Sequence, residues 1–375
     1  MSGLFVYGTL CDPRLQRAVI GREPPCRRAR IHGFGIRLAA GRDRPMLVRP
    51  GEGAEGLLLT GLSDREVARA AYYEEAFGFV PLAVEIDAGG ERREALAFAA
   101  PPGTEAGGAW SLARWAPSWG DTAAGAAADL LRDFGRKPAG EAARRYPQIL
   151  IRGGARVRAA AEIRPTDLRR HAGAGDVVVD ALRVPYAEYF SVEETDLRFR
   201  RFDGLMSEPL TRAVFISGDA AVVLPYDPER DRVLVIEQFR AGPFARGDSQ
   251  PWLIEAVAGR VDGGESPEEA ALREAREEAG ITIDRLIPAS RYYPSPAAKG
   301  EYIYSYIGIA TLPDGSAGIG GVPGEGEDIR AHLLDFDRLM RLVDTGEVDN
   351  APLIILALRL RDMRPGLRRC VTPGA

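Results

Sequence analysis

Apolar and polar positions follow different periods in different parts of the chain, and each period predicts a different element. Near the start, Leu4-Phe5-Val6-Tyr7-Gly8-Thr9-Leu10 is a short apolar run ending in a glycine turn, the pattern of a strand. Asp121 to Ala161 is alanine-rich and charged, with helical spacing such as Leu130, Leu131 and Phe134 and a stop at Gly135. Pro165 and Ala172-Gly-Ala-Gly-Asp176 mark a boundary. Beyond it, Asp176-Val-Val-Val-Asp-Ala-Leu and Leu197-Arg-Phe-Arg-Arg-Phe read as strands. The apolar run from Pro352 to Leu358 follows Asp349-Asn350, both cap residues, and predicts a buried helix too short to span a bilayer. Gly315 to Gly326 shows neither period and predicts a loop. There is no internal repeat and no long low-complexity tract.

The stretch from Gly259 to Ile281 is the most informative, reading as a loop and then a helix. Gly263 and Gly264 permit a tight turn, Ser266 is a good N-cap, Pro267 suits the first helical position, and Glu269 completes a capping box. Gly280 stands where a helix usually ends. Between these signals, Glu274, Glu277 and Glu278 are three and four residues apart and share one face. Clustered carboxylates repel one another without a cation, and as hard oxygen ligands they suit Mg2+ or Mn2+. A pyrophosphate brings further negative charge, so a divalent metal is needed to join it to such a helix. The metal polarises phosphoryl oxygens and lowers the pKa of a bound water. Glu269, Arg273 and Glu277 alone would suit an ordinary solvated helix. The glycine loop, Glu265 and the cap sequence, all at fixed spacing, speak against that reading.

The whole stretch fits G-x5-E-x7-R-E-U-x-E-E-x-G-U, with U apolar, through Gly259, Glu265, Arg273, Glu274, Glu277, Glu278 and Gly280. It resembles the box of the Nudix hydrolases, with Ala275 small where a larger aliphatic residue is common. The flanks include Glu237-Gln-Phe-Arg240, Pro251-Trp-Leu-Ile-Glu-Ala-Val-Ala-Gly259 and Glu325-Gly-Glu327-Asp-Ile-Arg. Together these are similar to the ADP-ribose pyrophosphatase branch of that family over about residues 176–370. The resemblance implies that the Ala258 carbonyl, Glu274, Glu278 and Glu327 hold magnesium ions, with Glu277 a further or outer ligand. It implies that the Glu325 loop brings the base to the attacking water, with Glu277 next in line for that role. Arg240 would touch the substrate, and Arg212, Arg260, Ser295 and Glu301 join it as candidate substrate contacts. It also implies a homodimer built by the strands that precede the box.

A second resemblance lies at the front. The Tyr7-Gly-Thr-Leu10 turn is followed by His32-Gly-Phe-Gly-Ile-Arg-Leu, Pro45-Met-Leu-Val, Ala54-Glu-Gly-Leu-Leu-Leu and Tyr72-Tyr-Glu-Glu-Ala-Phe-Gly-Phe79. Together they resemble gamma-glutamylcyclotransferase-like (AIG2-like) domains over about residues 3–115. The resemblance implies that the amides of Tyr7, Gly8, Thr9 and Leu10 hold a substrate carboxylate, and that Glu74 is a general acid/base. Phe79 and Pro81 replace the tyrosine and arginine of that family, which points to weak turnover or none.

Length and composition agree with two domains: 375 residues, 45% of them hydrophobic. A net charge of −5, from 49 basic and 54 acidic residues, argues against a broad nucleic-acid surface. Three scattered cysteines suggest a reduced, cytoplasmic protein, and histidines at 32, 171 and 332 form no zinc-spacing pair. The first ten residues lack a basic n-region, so no signal peptide is expected, and no membrane association.

The expected fold class is α+β in two domains. Residues 1–165 would form a mixed β-barrel with helices, and 174–375 a Nudix α/β/α sandwich. The expected activity is Mg2+-dependent hydrolysis of ADP-ribose to AMP and ribose 5-phosphate. Another nucleotide sugar such as a GDP-sugar is the nearest alternative, then a bifunctional enzyme with cyclotransferase activity. A non-catalytic ADP-ribose sensor is the remotest. The domain pairing also resembles bacterial proteins labelled for tellurite resistance, a label no residue here explains.

Overall fold

The apolar run at the start becomes β1 (Leu4–Val6), all three residues buried. A 3-10 turn at Thr9–Cys11 leads into α1 (Pro13–Ile20), which Asp12 caps by accepting from the Arg14 amide. The computed structural model describes residues 3–41, 44–321 and 328–369, and it divides into two compact units at Pro165/Thr166. In the first unit β2 (Cys26–Ile31), β3 (Gly35–Ala39), β4 (Pro45–Val48), β5 (Ala54–Leu59), α2 (Asp64–Glu75), β6 (Val80–Asp87), β7 (Arg92–Ala99) and β8 (Ala106–Ala109) follow. β1, β5, β2, β6 and β7 close a barrel in that order, and β4-β3-β8 form a separate sheet. Strand alternation sorts the apolar residues. Phe5, Ile31, Leu58 and Ile86 share one core cluster. Leu4, Val6 and Leu59 join a second cluster with the helices.

Those helices are α2 and the extension α3 (Leu112–Leu130), α4 (Ala139–Ala143) and α5 (Tyr146–Ala161). α2 starts on a Ser63–Glu66 capping box. The alanines have a packing role, since Ala123, Ala126 and Ala127 are buried in α3. α3 ends near Leu130, a 3-10 turn holds Leu131, and Gly135 breaks the path at φ 77° as its position suggested.

The second unit opens with an antiparallel sheet in the order β11-β10-β9, from β9 (Val177–Ala187), β10 (Ser191–Phe199) and β11 (Leu210–Ile216). β10 stops before Phe202, which is exposed within the turn that the Arg200–Met206 bridge closes. Then come β12 (Ala220–Asp227), β13 (Arg232–Phe239), α6 (Ala241–Arg246), β14 (Trp252–Glu255), β15 (Val257–Arg260) and α7 (Pro267–Ala279). After these come β16 (Arg285–Tyr292), β17 (Ile303–Ile309), β18 (Ile319–Gly320), β19 (Ile329–Asp335), α8 (Phe336–Thr345) and α9 (Ala351–Arg369). β12 to β19 form one mixed sheet around the parallel pair β12–β17.

Helices cover both faces of this sheet, and the two-residue period of the strands decides which residue meets which helix. Ala221, Val223, Leu234 and Ile236 pack with Ala270, Ala271 and Ala275 of α7. Val222, Leu224, Val233 and Val235 pack with Leu339 of α8 and Leu353, Leu356 and Leu360 of α9. Asn350 caps α9 by accepting from the Leu353 amide at 3.2 Å. β18 falls inside the glycine-rich stretch expected to be loop, because β19 supplies a ladder that no local pattern announces. Among the described residues, no helix is long and apolar enough to cross a membrane.

Candidate active site

The caps of α7 hold as the spacing predicts. Ser266 and Glu269 form a reciprocal capping box, Pro267 is the first helical residue, and Gly280 closes the helix at φ 64°. α7 lies against β15, and the approach is closest where Gly259 meets Glu274. A Cβ on Gly259 would stand 1.7 Å from Oε1 of Glu274, so a larger residue here would require the Glu274 carboxylate to move.

Arg273 organises the acidic face. Its guanidinium donates to Glu265 at 3.0 Å, Glu274 at 2.6 Å, Glu277 at 3.0 Å and the Arg260 carbonyl at 3.0 Å. Glu265 in turn accepts the Asp262 amide at 3.2 Å. Burial raises the Asp262 carboxyl above the ordinary carboxylate range. Glu277 is open to solvent, with 44% of its side chain exposed. Glu278, the next residue, is 3% exposed, and its carboxylate accepts the Ala258 amide at 3.0 Å. Of these two adjacent carboxylates, Glu277 is solvated and Glu278 is turned to the sheet. Among the described residues, no group of His, Cys, Asp or Glu is gathered tightly enough to hold a metal alone. The donors present are all hard carboxylate and carbonyl oxygens held beside one cationic side chain, a set that fits a hard divalent cation. Glu325 and Glu327 lie outside the described residues.

The candidate substrate residues fall into two groups. Arg260 follows Gly259 on β15, and Glu301 accepts from Ser217 Oγ at 3.0 Å and pairs with Lys299 at 3.3 Å. Arg260 stacks on Tyr189 at 4.3 Å and on Phe190 at 4.9 Å. Burial pulls its pKa down while Tyr189 and Glu301 oppose that shift. These partners are 71 and 70 residues away in sequence (260 − 189 and 260 − 190), so no spacing signals them. Arg240 is held by Glu255, with Nε at 2.8 Å and a second nitrogen at 2.6 Å. Arg212 is exposed on β11, outside the box cluster, donating to the Thr211 carbonyl. Ser295 is exposed in a turn, its carbonyl accepting the Ala298 and Lys299 amides.

In the first unit the Tyr7 hydroxyl donates to the Phe98 carbonyl at 2.5 Å. Gly8 packs on Pro45, whose ring would be 2.4 Å from a Cβ there. Thr9 and Leu10 are buried in the turn, where the Cys11 amide reaches the Gly8 carbonyl and the Asp12 amide reaches the Thr9 carbonyl. Glu74 is near the end of α2 and lines a small recess with Tyr7, Gly8, Thr9 and Leu10. Burial pushes its carboxyl up to about 7, with Arg44 opposing. Phe79 is buried beside it, and Pro81 sits on β6 opposite Phe98.

The NUDIX domain family matches residues 217–355. An ADP-ribose pyrophosphatase of Escherichia coli (strain K12) is 38% identical over 193 residues, 52% of this chain and 91% of that protein. The chain belongs to the Nudix family. Another relative of this Nudix hydrolase is an ADP-ribose pyrophosphatase of Haemophilus influenzae, 32% identical over 50% of this chain and 86% of that protein. A GDP-mannose pyrophosphatase of Enterobacter sp. (strain 638) is 32% identical over 39% of this chain and 74% of that protein. The family described as gamma-glutamyl cyclotransferase, AIG2-like, matches residues 4–116, so an AIG2-like domain precedes the Nudix domain. The two matches fall within or alongside the stretches that carry the two sequence resemblances, about 176–370 and 3–115.

Proposed function

We propose that the Nudix domain hydrolyses the pyrophosphate bond of ADP-ribose, giving AMP and ribose 5-phosphate with Mg2+ as the metal. The observation that carries this reading is the docking of α7 on β15, which sets Glu274 against Gly259 and the Glu278 carboxylate on the Ala258 amide. The 38% identity to an ADP-ribose pyrophosphatase over 91% of its length supports the choice of substrate. Water attacks one phosphorus, the bridging P–O bond breaks, and the two products leave as phosphate monoesters. Glu325 takes the proton of the attacking water. Glu274, Glu278, Glu327 and the Ala258 carbonyl hold the metal, and Glu277 is an outer ligand. When bound, the metal offsets the diphosphate charge and acidifies the water. Arg273 orients Glu274 and Glu277 by charge-assisted hydrogen bonds. Arg260, Arg240, Arg212, Ser295 and Glu301 contact the nucleotide sugar.

The same site suits a GDP-sugar, a second reading supported by the GDP-mannose pyrophosphatase relatives. A panel of ADP-ribose, GDP-mannose and other nucleoside diphosphate derivatives, with Mg2+ and product identification, separates the two. Failure to cleave any of them with Mg2+ or Mn2+ would reject the whole assignment.

The active unit is a homodimer. β9 leaves Val177, Val179 and Leu182 exposed, paired with Phe199, Leu197 and Thr195 of β10 on one face of the sheet that a second copy would cover. The AIG2-like domain binds a ligand without appreciable cyclotransferase turnover, a reading supported by Phe79 and Pro81 at positions the chemistry would need. Robust release of 5-oxoproline from gamma-glutamyl peptides, abolished by Glu74→Gln, would reject that part alone.

A further inference from the structure

The first unit contains a cavity of about 630 Å3, a volume typical of small-molecule sites. Its walls combine residues of the AIG2-like match with others from the helical extension beyond it. Trp115 and Trp119 stand on α3 and Tyr146 starts α5, while Tyr73 and Phe77 come from the end of α2 and just beyond it. Tyr73 and Phe77 belong to the Tyr72–Phe79 motif, whereas Trp119 and Tyr146 lie beyond the AIG2-like match, and the elements that carry them meet only in three dimensions.

Arg44 stands among these rings. Its guanidinium lies 3.0 Å from the centre of the Phe77 ring and 5.3 Å from those of Tyr73 and Tyr146. It donates to the neutral Tyr73 hydroxyl at 3.3 Å, and among the described residues no carboxylate forms an ion pair with it. The two buried arginines among the described residues of this unit do have such a partner: Arg145 pairs with Asp133 and Arg152 with Asp129. A half-buried guanidinium set against aromatic faces, with the Glu74 carboxyl near it but not in an ion pair, is an attractive point for an anion.

Arg44 and Thr9 also line the recess that contains Glu74, and that recess measures only about 20 Å3. This is room for one water molecule. An organic ligand must therefore place its body in the larger cavity, with Arg44 between it and Glu74.

We propose that this cavity is a binding site for a small aromatic anion. A single carboxylate, sulfonate or phosphate group pairs with Arg44, and a flat apolar body lies among Trp115, Trp119 and Tyr146. The site is separate from the pyrophosphatase centre and does not depend on that assignment.

The test uses the full-length protein and two probes with the same aromatic body. These are 1-anilinonaphthalene-8-sulfonate and uncharged N-phenyl-1-naphthylamine, followed by probe fluorescence and by quenching of tryptophan. The expected result is one saturable site per chain, with the sulfonate bound about tenfold tighter than the neutral probe. Arg44→Met removes that preference and leaves neutral binding in place, and Arg44→Lys restores part of it. Trp119→Ala weakens both probes, with circular dichroism reporting that the variant is folded. If Trp119→Ala unfolds, the Arg44 pair decides alone. No saturable binding, equal affinity for the two probes, or wild-type sulfonate binding by Arg44→Met would each overturn the proposal.

Discussion

Gly259 and Glu274 occupy adjoining space so closely that a single added carbon would overlap: a Cβ on Gly259 would lie 1.7 Å from the Glu274 carboxylate oxygen. Gly259→Ala must therefore push either β15 or the Glu274 side chain away. The expected outcome is a loss of kcat/KM of about 100-fold, with secondary structure retained, because a carboxylate placed an ångström away loses its alignment. Steady-state kinetics with ADP-ribose, beside circular dichroism, checks this. Near-normal activity would show that the position of Glu274 does not matter.

Glu277 and Glu278 are adjacent in sequence and differ in what they cost the fold. Both Glu277→Gln and Glu278→Gln should lower turnover by about 100-fold. Glu277 is exposed, so its variant should unfold at the wild-type temperature. The Glu278 carboxylate is buried on the Ala258 amide, so Glu278→Ala, which removes that acceptor, should lose about 1–3 kcal/mol of stability, while Glu277→Ala should not. Thermal unfolding of both alanine variants measures the contrast, and equal melting temperatures would contradict the burial argument.

Glu325 and Glu327 separate by kinetics. Glu325→Gln should lower kcat far more than it raises KM, because a base acts in the transition state. Glu327→Gln should raise the Mg2+ concentration needed for half-maximal rate. Full activity in Glu325→Gln would move the base elsewhere, first to Glu277.

The exposed face of β9 leads to a solution measurement. Light scattering at micromolar concentration should give twice the chain mass, 2 × 40.6 kDa. Leu182→Asp should shift the protein towards monomer, since it puts a charge on the apolar face. A fully active wild-type monomer would remove the partner subunit from the account.

Glu74 makes the stability of the first unit depend on pH. Its carboxyl is raised from 4.5 to about 7, so between those values the folded state holds a proton that the unfolded chain has released. The contribution is fully present below pH 4.5 and is lost as pH rises through about 7. Thermal unfolding from pH 4.5 to 8 should show wild type losing stability relative to Glu74→Gln across this window, with ADP-ribose hydrolysis unchanged in the variant. Parallel curves would mean that the carboxyl titrates normally.

Several features of this protein were legible from residues a few positions apart. Ser266, Pro267, Glu269 and Gly280 bound α7 because capping hydrogen bonds close within one turn, and local spacing states them completely. The same holds for the strand at Leu4–Val6, the Asn350 cap of α9 and the shared face of Glu274, Glu277 and Glu278. Which side of that face is buried was decided by the docking of α7 on β15. Neighbouring helical residues point about 100° apart, and only the sheet determines which of Glu277 and Glu278 it covers. β18 needed β19, Arg260 needed Tyr189, and Arg44 needed Phe77 and Tyr146 before any of them had a surrounding to read. A hydrogen bond within four residues leaves its trace in spacing, whereas a contact between distant segments is selected by the packing of whole elements and leaves none.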